Sequence, residues 1–334
     1  MSAADPITIV RATRPGEIRA GGAGGEEGVP LLPDAGWALE PKTHLVAVGD
    51  DGRHRARCSL WWRAGAGPGE RPGIIGHFAA TDRHAAHAVL TRACDELAAA
   101  GCGEAVGPMD RDTWHAYRLV VETSNAPPFF LELATPPAYV DDFTSAGFAP
   151  IARYCSAVDP DVERSGDLDV GALAKKCGVR VEPMTGPGDD VLRGIHAVSL
   201  EAFARNFMYT SIAEDEFLAM YRPILAHVQP DLVRLVWDAD EFVGFLFAVP
   251  DLLELKRTGA TRTVIIKSMA VRPGWQGRGI GRLLFRSLES VAAGMGCSRA
   301  IHALMHESNR SLQLSGEVAG VIRRYALFGR ELTR

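Results

Sequence analysis

Residues 271–282 read VRPGWQGRGIGR, and what lies on either side of them decides the reading of the chain. Ahead stands an apolar run, Thr263-Val-Ile-Ile-Lys-Ser-Met-Ala-Val271; behind, residues 283–295 carry apolar side chains at helical spacing. A strand feeding a glycine-rich turn that opens a helix is therefore predicted. Backbone N–H groups at such a turn, added to the positive end of the helix, make an anion site suited to a pyrophosphate. Gly277, Gly279 and Gly281 have no side chains, so phosphate oxygens can come close to the main chain.

Spacing sorts the possible ligands. A Walker loop needs Gly-x4-Gly-Lys-[Ser/Thr], and no Lys-Ser/Thr pair stands in this turn. A dinucleotide fingerprint needs Gly-x-Gly-x-x-Gly, which Gly277-Arg-Gly279-Ile-Gly281-Arg282 does not give. A nucleotide-binding protein of another kind is disfavoured on both counts, and the bland alternative is a surface loop capping an ordinary helix. Gln276-x-x-Gly279-x-Gly281, with Val271-x-Pro273 just ahead, resembles the (Gln/Arg)-x-x-Gly-x-(Gly/Ala) signature of the GNAT superfamily of N-acetyltransferases. That resemblance implies acetyl-coenzyme A, or another acyl-coenzyme A, as cosubstrate, and no metal. It implies that Gln276, Gly277, Arg278, Gly279, Ile280, Gly281 and Arg282 hold the pyrophosphate, mostly through backbone donors. It also implies that the main chain of Met269, Ala270 and Val271 pairs with pantetheine like an added strand. Asn309 matches the family's Asn at the start of the next helix, where it either bonds the pantetheine arm or caps that helix.

The bulk properties are those expected of a soluble globular protein. At 334 residues, two domains are expected, and 47% apolar with 23% charged residues is a globular composition. A net charge of −5 argues against nucleic acid as a partner, because phosphate backbones need a basic field. No apolar run approaches the roughly 20 residues that span a bilayer, and the first residues show no export signal, so a cytoplasmic location is expected. Cys58, Cys94, Cys102, Cys155, Cys177 and Cys297 have no CxxC spacing and read as free thiols.

Beyond an acidic, glycine-containing stretch at 159–178, a linker candidate with a short helix at 170–177, a strand is expected at 179–183 and helices at 189–205 and 214–228. A hairpin follows (232–237 and 242–249), then strand 261–271, helix 282–295, strand 300–306, helix 308–317 and strand 321–332. This succession is similar to the GNAT fold, an α/β (α+β) class with a mixed, mostly antiparallel sheet flanked by helices. The first half repeats the plan: strand 6–13, a glycine-rich loop at 21–28, a hairpin around Asp50-Asp-Gly52, strand 73–79, helix 83–100, strand 104–109, helix 113–122 and strand 150–158. Where the second half has its glycines, the first has Thr81-Asp-Arg-His-Ala-Ala86. Ala146-Gly147-Phe148 with Arg153-Tyr154 echoes Ala319-Gly320-Val321 with Arg324-Tyr325. The expected division is a degenerate GNAT-like domain at 1–158, a linker at 159–178 and an N-acetyltransferase domain at 179–334. The alternative is an unrelated α+β domain in the first half.

The resemblance implies direct transfer, in which a neutral amine attacks the thioester carbonyl and a thiolate leaves. Many family members place a proton-donating Tyr seven residues after the Asn; here that position is Gly316. Tyr325 and Ser315 are the substitutes in reach. Lys267 interrupts an apolar run, where a charge needs a partner, and Asp251 and Glu254 are the candidates. Glu307 and His306 would point to opposite faces of their strand, while His302 and His306 would share one without a third zinc ligand. Among the aromatics on the two early helices, Phe203 and Phe217 have the spacing of sheet-packing residues, whereas Asn206, Met208 and Tyr209 are pocket candidates. In the first half Gly107-Pro-Met-Asp110, Trp114, Tyr117 and Pro127-Pro-Phe-Phe130 stand out as candidates to wall the acceptor side or to support a homodimer. The function expected is acyl transfer to the primary amine of a small molecule. The alternatives are a protein lysine or N-terminal acceptor, and a non-enzymatic acyl-coenzyme A sensor. No nucleic-acid or membrane partner is expected.

Overall fold

The computed structural model describes residues 6–18, 28–62, 72–165, 169–185, 188–307 and 319–333. Two compact units divide the chain. One comprises Met1–Val121, Leu133–Arg153 and Tyr325–Arg334; the other comprises Glu122–Glu132 and Tyr154–Arg324. The limits expected at 158 and 179 do not bound them, because the units interleave along the sequence.

Unit 1 holds β1 (Ile7–Ala12), α1 (Asp34–Trp37), β2 (Thr43–Gly49), β3 (His54–Trp61), β4 (Gly73–Ala80), α2 (Arg83–Ala99) and β5 (Glu104–Gly107). After β6 (Leu119–Thr123) come α3 (Ala138–Ser145) and the first part of β7 (Ala149–Asp159). Its strands pair in the order β1-β2-β3-β4-β5, antiparallel except for β4 with β5. The core lies between this sheet (Leu45, Cys58, Leu60, Ile75) and α2, whose Ala86, Val89, Leu90, Ala93 and Leu97 fall on one face at the helical period.

Unit 2 runs through α4 (Val170–Cys177), β8 (Arg180–Pro183), α5 (Asp189–Ala202), α6 (Glu214–Leu225), β9 (Val233–Asp238), β10 (Glu241–Pro250), α7 (Leu252–Thr258), β11 (Thr263–Val271), α8 (Ile280–Gly294) and β12 (Arg299–His306). Strands pair as β8-β9-β10-β11-β12, with the end of β7 beyond β12. β11 and β12 are parallel and the other pairs antiparallel, as the mixed sheet requires. Ile280, Leu283, Leu284, Leu288 and Ala292 of α8 pack on Val236, Leu246, Val264 and Ile266. The last strand is β13 (Gly320–Glu331), whose residues Phe328–Glu331 belong to unit 1 and pair there with β5. Of the described residues, no helix is long and apolar enough to cross a membrane.

Three local expectations change. A strand, β6, occupies the end of the helix expected at 113–122, and the residues before it double back, with the Asp110 N–H donating to Ala116 O at 2.8 Å. The β-branched Val120, Val121 and Thr123 favour that outcome. Helix α7 was not foreseen; Asp251 caps it by accepting from the Leu253 and Glu254 N–H groups, and Gly259 ends it at φ +80°. The 159–178 stretch does contain the expected short helix, but it is no free linker: Val162 is fully buried in the unit 2 core, and α4 packs against α8. The glycine-rich residues 19–27 and the helix expected at 308–317 lie outside the described residues.

Candidate functional site

β11 and β12 pair from Thr263↔Arg299 to Ile266↔His302, where their ladder ends. Beyond that point lies a cavity of about 1110 Å³, lined by Lys267–Val271 on one side and His302–Met305 on the other. Its far end is the turn before α8. Gly279 is the N-cap, at φ +87° and with no side-chain cap, and the Leu283 N–H makes the first intrahelical bond, to Gly279 O at 3.0 Å. The N–H groups of Ile280, Gly281 and Arg282 precede that bond and so have no acceptor within the helix. A side chain at Gly277 (φ +82°) would meet nothing within 4 Å, so the turn is open as well as strained for other residues.

The turn is pinned from behind. Trp275 Nε1 donates to Asp238 at 3.0 Å, Gln276 Nε2 to Val271 O at 3.0 Å, and Arg272 Nε to Phe242 O at 2.9 Å. Arg272 also pairs with Glu201, tying the end of α5 to the base of the turn. A glycine-lined helix N-terminus of this kind, fed by a splayed strand edge, fits a diphosphate joined to an extended arm that carries amides. Met269, Ala270, Val271, Gln276, Gly277, Gly279, Ile280, Gly281 and Arg282 all line the cavity. Arg278 does not; it turns back to donate to Gly274 O at 3.2 Å and lies over the Trp275 ring. Asn309, Ser315 and Gly316 lie outside the described residues.

Of the side chains expected to do chemistry, Lys267 alone lines the cavity, and its Nζ donates to Leu131 O at 3.2 Å. Asp251 is 3% exposed and committed to capping α7 and to accepting the Phe130 N–H at 3.0 Å. Glu254 accepts from Thr261 Oγ1 at 2.9 Å and the Arg262 N–H at 3.0 Å, and it pairs with Arg299. Glu307 pairs with Arg324 at 3.4 Å, and Tyr325 is wholly buried in unit 1. None of these four faces the cavity.

The sequence missed part of the opposite wall. Helix α5 ends at Ala202, three residues before its expected stop, so Glu201, Phe203 and Arg205 join Asn206 on the cavity. Phe203 is thus a site residue and not sheet packing, whereas Phe217 is buried and stacks on Tyr221 at 4.4 Å. Met208 and Tyr209 do not line the cavity; the Tyr209 hydroxyl donates to Leu200 O. His302 does line it, beside Phe285. Burial pulls the His302 pKa down to about 4, although Asp159 raises it, so the ring is neutral at pH 7. His302 and His306 do not share a face, because the strand bulges at Leu304 (φ +57°) and His306 packs on Tyr154 instead. No group of three or more His, Cys, Asp or Glu side chains suited to a metal occurs among the described residues.

Unit 1 has the same plan with its cleft filled by its own chain. β4 and β5 pair only at Gly73↔Ala105 and Ile74↔Val106. Past that point the Met109 N–H donates to Ile75 O at 2.8 Å, Asp110 accepts the His77 N–H at 2.5 Å, and the Ala80 N–H donates to the Tyr139 hydroxyl at 3.3 Å. A Cβ on Gly76 would fall 2.2 Å from Met109 O, so no room is left. At the start of α2 the Asp82 carboxylate accepts the Ala85 N–H at 2.8 Å, an internal anion where α8 has none.

Comparison with known proteins agrees with this geometry. Residues 199–314 match the acetyltransferase (GNAT) family model, and this segment is a GNAT domain. The fold of the chain is similar to a GCN5-related N-acetyltransferase from Sphaerobacter thermophilus (14% identity, 87% of this chain and 81% of that one, TM-score 0.50). It is also similar to a tandem GNAT protein from the clavulanic acid biosynthesis pathway (14% identity, 98% and 99% covered, TM-score 0.50). A third likeness is to the glucosamine N-acetyltransferase region of a fungal multi-domain GH3 β-N-acetylglucosaminidase (11% identity, 89% of this chain but 34% of that one, TM-score 0.52). No curated protein matches the chain in sequence. The architecture is therefore a GNAT fold, in an arrangement consistent with tandem duplication.

Proposed function

We propose that unit 2 is an acyl-coenzyme A-dependent N-acyltransferase acting on the primary amine of a small molecule. The observation that carries this reading is the gap after Ile266↔His302, which runs to an uncapped, glycine-lined helix N-terminus. The N–H groups of Ile280, Gly281 and Arg282 would hold the diphosphate, and the main chain of Met269–Val271 would pair with the pantetheine amides. Bound acyl-coenzyme A supplies the activated thioester. The arm leads along β11 toward Lys267 and Ser268, while Glu201, Arg205 and Asn206 border the entry of an acceptor. A cavity of about 1110 Å³ is at the upper end of small-molecule pockets, which supports a small acceptor beside the cosubstrate.

The test is release of free thiol from acetyl-coenzyme A across a panel of small amines, run beside thermal unfolding. An enzyme releases thiol with at least one amine. Stabilisation by acetyl-coenzyme A without release for any small amine or lysine peptide would mark a sensor instead.

A further inference from the structure

Lys267 holds a special place in its strand. In the β10–β11 ladder Phe247 pairs with Ser268 and Ala248 with Ile266, so Lys267 is the extra residue of a bulge. It also follows directly on Ile266, the last residue of β11 paired with β12. Bulges re-aim a side chain, and they concentrate beside active sites. Here the bulge stands where the cleft opens. From Val271 back to Lys267 is about 13 Å of extended strand, the path that leads from the α8 turn into the cleft.

A dedicated support holds the ammonium. One acceptor, Leu131 O, belongs to a residue at φ +63°, a conformation that a bulky side chain adopts only where its surroundings impose it. The segment 122–132 keeps that shape because unit 2 clamps it at several points. The Phe130 N–H donates to Asp251, Arg257 donates to Pro128 O at 2.8 Å, and Glu132 forms a buried ion pair with Arg323 at 2.6 Å. The Leu131 oxygen accepts one Nζ hydrogen, and a lysine ammonium carries two further N–H donors. The arrangement suits a hydrogen-bond donor and not a general base.

We propose that Lys267 donates a hydrogen bond to the thioester carbonyl oxygen, with the Leu131 carbonyl holding the ammonium in place. This rests on the acyltransferase reading of the same cavity. The acceptor's neutral nitrogen bonds to the carbonyl carbon, and the carbonyl π pair moves onto the oxygen that Lys267 faces. As that pair returns, the carbon–sulfur bond breaks with its electrons on sulfur, and the proton shed by the new amide nitrogen passes to water. Lys267 acts on the oxygen alone, where charge develops.

The test uses the full chain with acetyl-coenzyme A labelled with ¹³C at the carbonyl. In the wild type the bound carbonyl stretch falls below its position in free acetyl-coenzyme A; in Lys267→Met that displacement is lost, and in Lys267→Arg part of it returns. Affinity for acyl-free coenzyme A stays within about 3-fold in both variants, which reports that the fold is intact. The Lys267→Met kcat drops by about 100-fold or more, with the shape of the pH profile unchanged. An undisplaced carbonyl stretch in the bound wild type would overturn the assignment while leaving the acyltransferase reading in place. So would a raised acceptor KM at full kcat, which would make Lys267 an acceptor anchor, or loss of the acidic limb of the profile, which would make it a base. Failure of the wild type to bind acetyl-coenzyme A at all would end both readings.

Discussion

Ile266 and His302 form the last pair of the only parallel ladder in unit 2 among the described residues, and both line the cavity that opens where that ladder ends. The same departure occurs in unit 1 after Ile74 and Val106, but there Met109 and Asp110 fill the edge that β4 would otherwise leave open. Two clefts of common plan thus differ in whether the chain itself occupies them and in whether a side chain caps the helix that follows.

One acetyl-coenzyme A should therefore bind per chain. Isothermal titration of the full protein is expected to give a stoichiometry of one, and a second equivalent of comparable affinity would contradict the filled cleft of unit 1.

Asp251 illustrates a residue whose position in the sequence suggests chemistry and whose surroundings assign it to structure. Asp251→Ala removes a helix cap and leaves the Phe130 N–H without its acceptor, a combined loss of about 2–3 kcal/mol. Chemical denaturation should show it, with acetyl-coenzyme A affinity held to within a few fold. A stable variant with abolished turnover would restore Asp251 as a catalytic group.

How legible was this in the sequence? The β11–turn–α8 unit could be read directly, because apolar alternation, glycines and helical spacing follow one another without a break. The similar order of strands and helices in the first half could be read from alternation and helical spacing alone, since its turn at 81–86 has no glycine. Helix α7 could have been found from Asp251 and Gly259, which bracket it as caps, but the apolar and acidic residues between them resembled a loop at a pocket mouth. Nothing in the sequence could reveal that Lys267 donates to a backbone oxygen at Leu131, far away in the chain. Nor could spacing show that Leu304 breaks the alternation of β12 and separates His302 from His306.

The Arg323–Glu132 pair predicts a large stability effect. Both side chains are under a tenth exposed, and Arg323 also donates to the Ala126 and Pro127 carbonyls. Glu132→Gln leaves the guanidinium buried without its counter-charge and is expected to cost about 3–5 kcal/mol in urea unfolding. Replacing both residues by apolar ones should recover much of that loss. A change below about 1 kcal/mol in the single variant would mean that the pair is solvated.

His302 makes stability depend on pH. Its folded pKa of about 4 lies below the unfolded value near 6.5, so the unfolded chain binds the extra proton between them and stability falls as pH drops through that window. At about 1.4 kcal/mol per pKa unit, the full effect is on the order of 3 kcal/mol. Urea midpoints of the wild type and His302→Gln, compared at pH 7 and pH 4.5, should show a shallower decline in the variant; parallel declines would contradict a buried, neutral ring.

The most direct measurement concerns Gly281, the second residue of α8. Its backbone is helical, and an acidic side chain in a first turn favours the helix dipole, so Gly281→Glu should fold at least as well as the wild type. The same carboxylate would stand against the diphosphate, where like charges cost several kcal/mol. Titration calorimetry should show acetyl-coenzyme A affinity reduced by at least about 100-fold in a variant with undiminished thermal stability. Unchanged affinity in that folded variant would show that the amides opening α8 do not grip the cosubstrate.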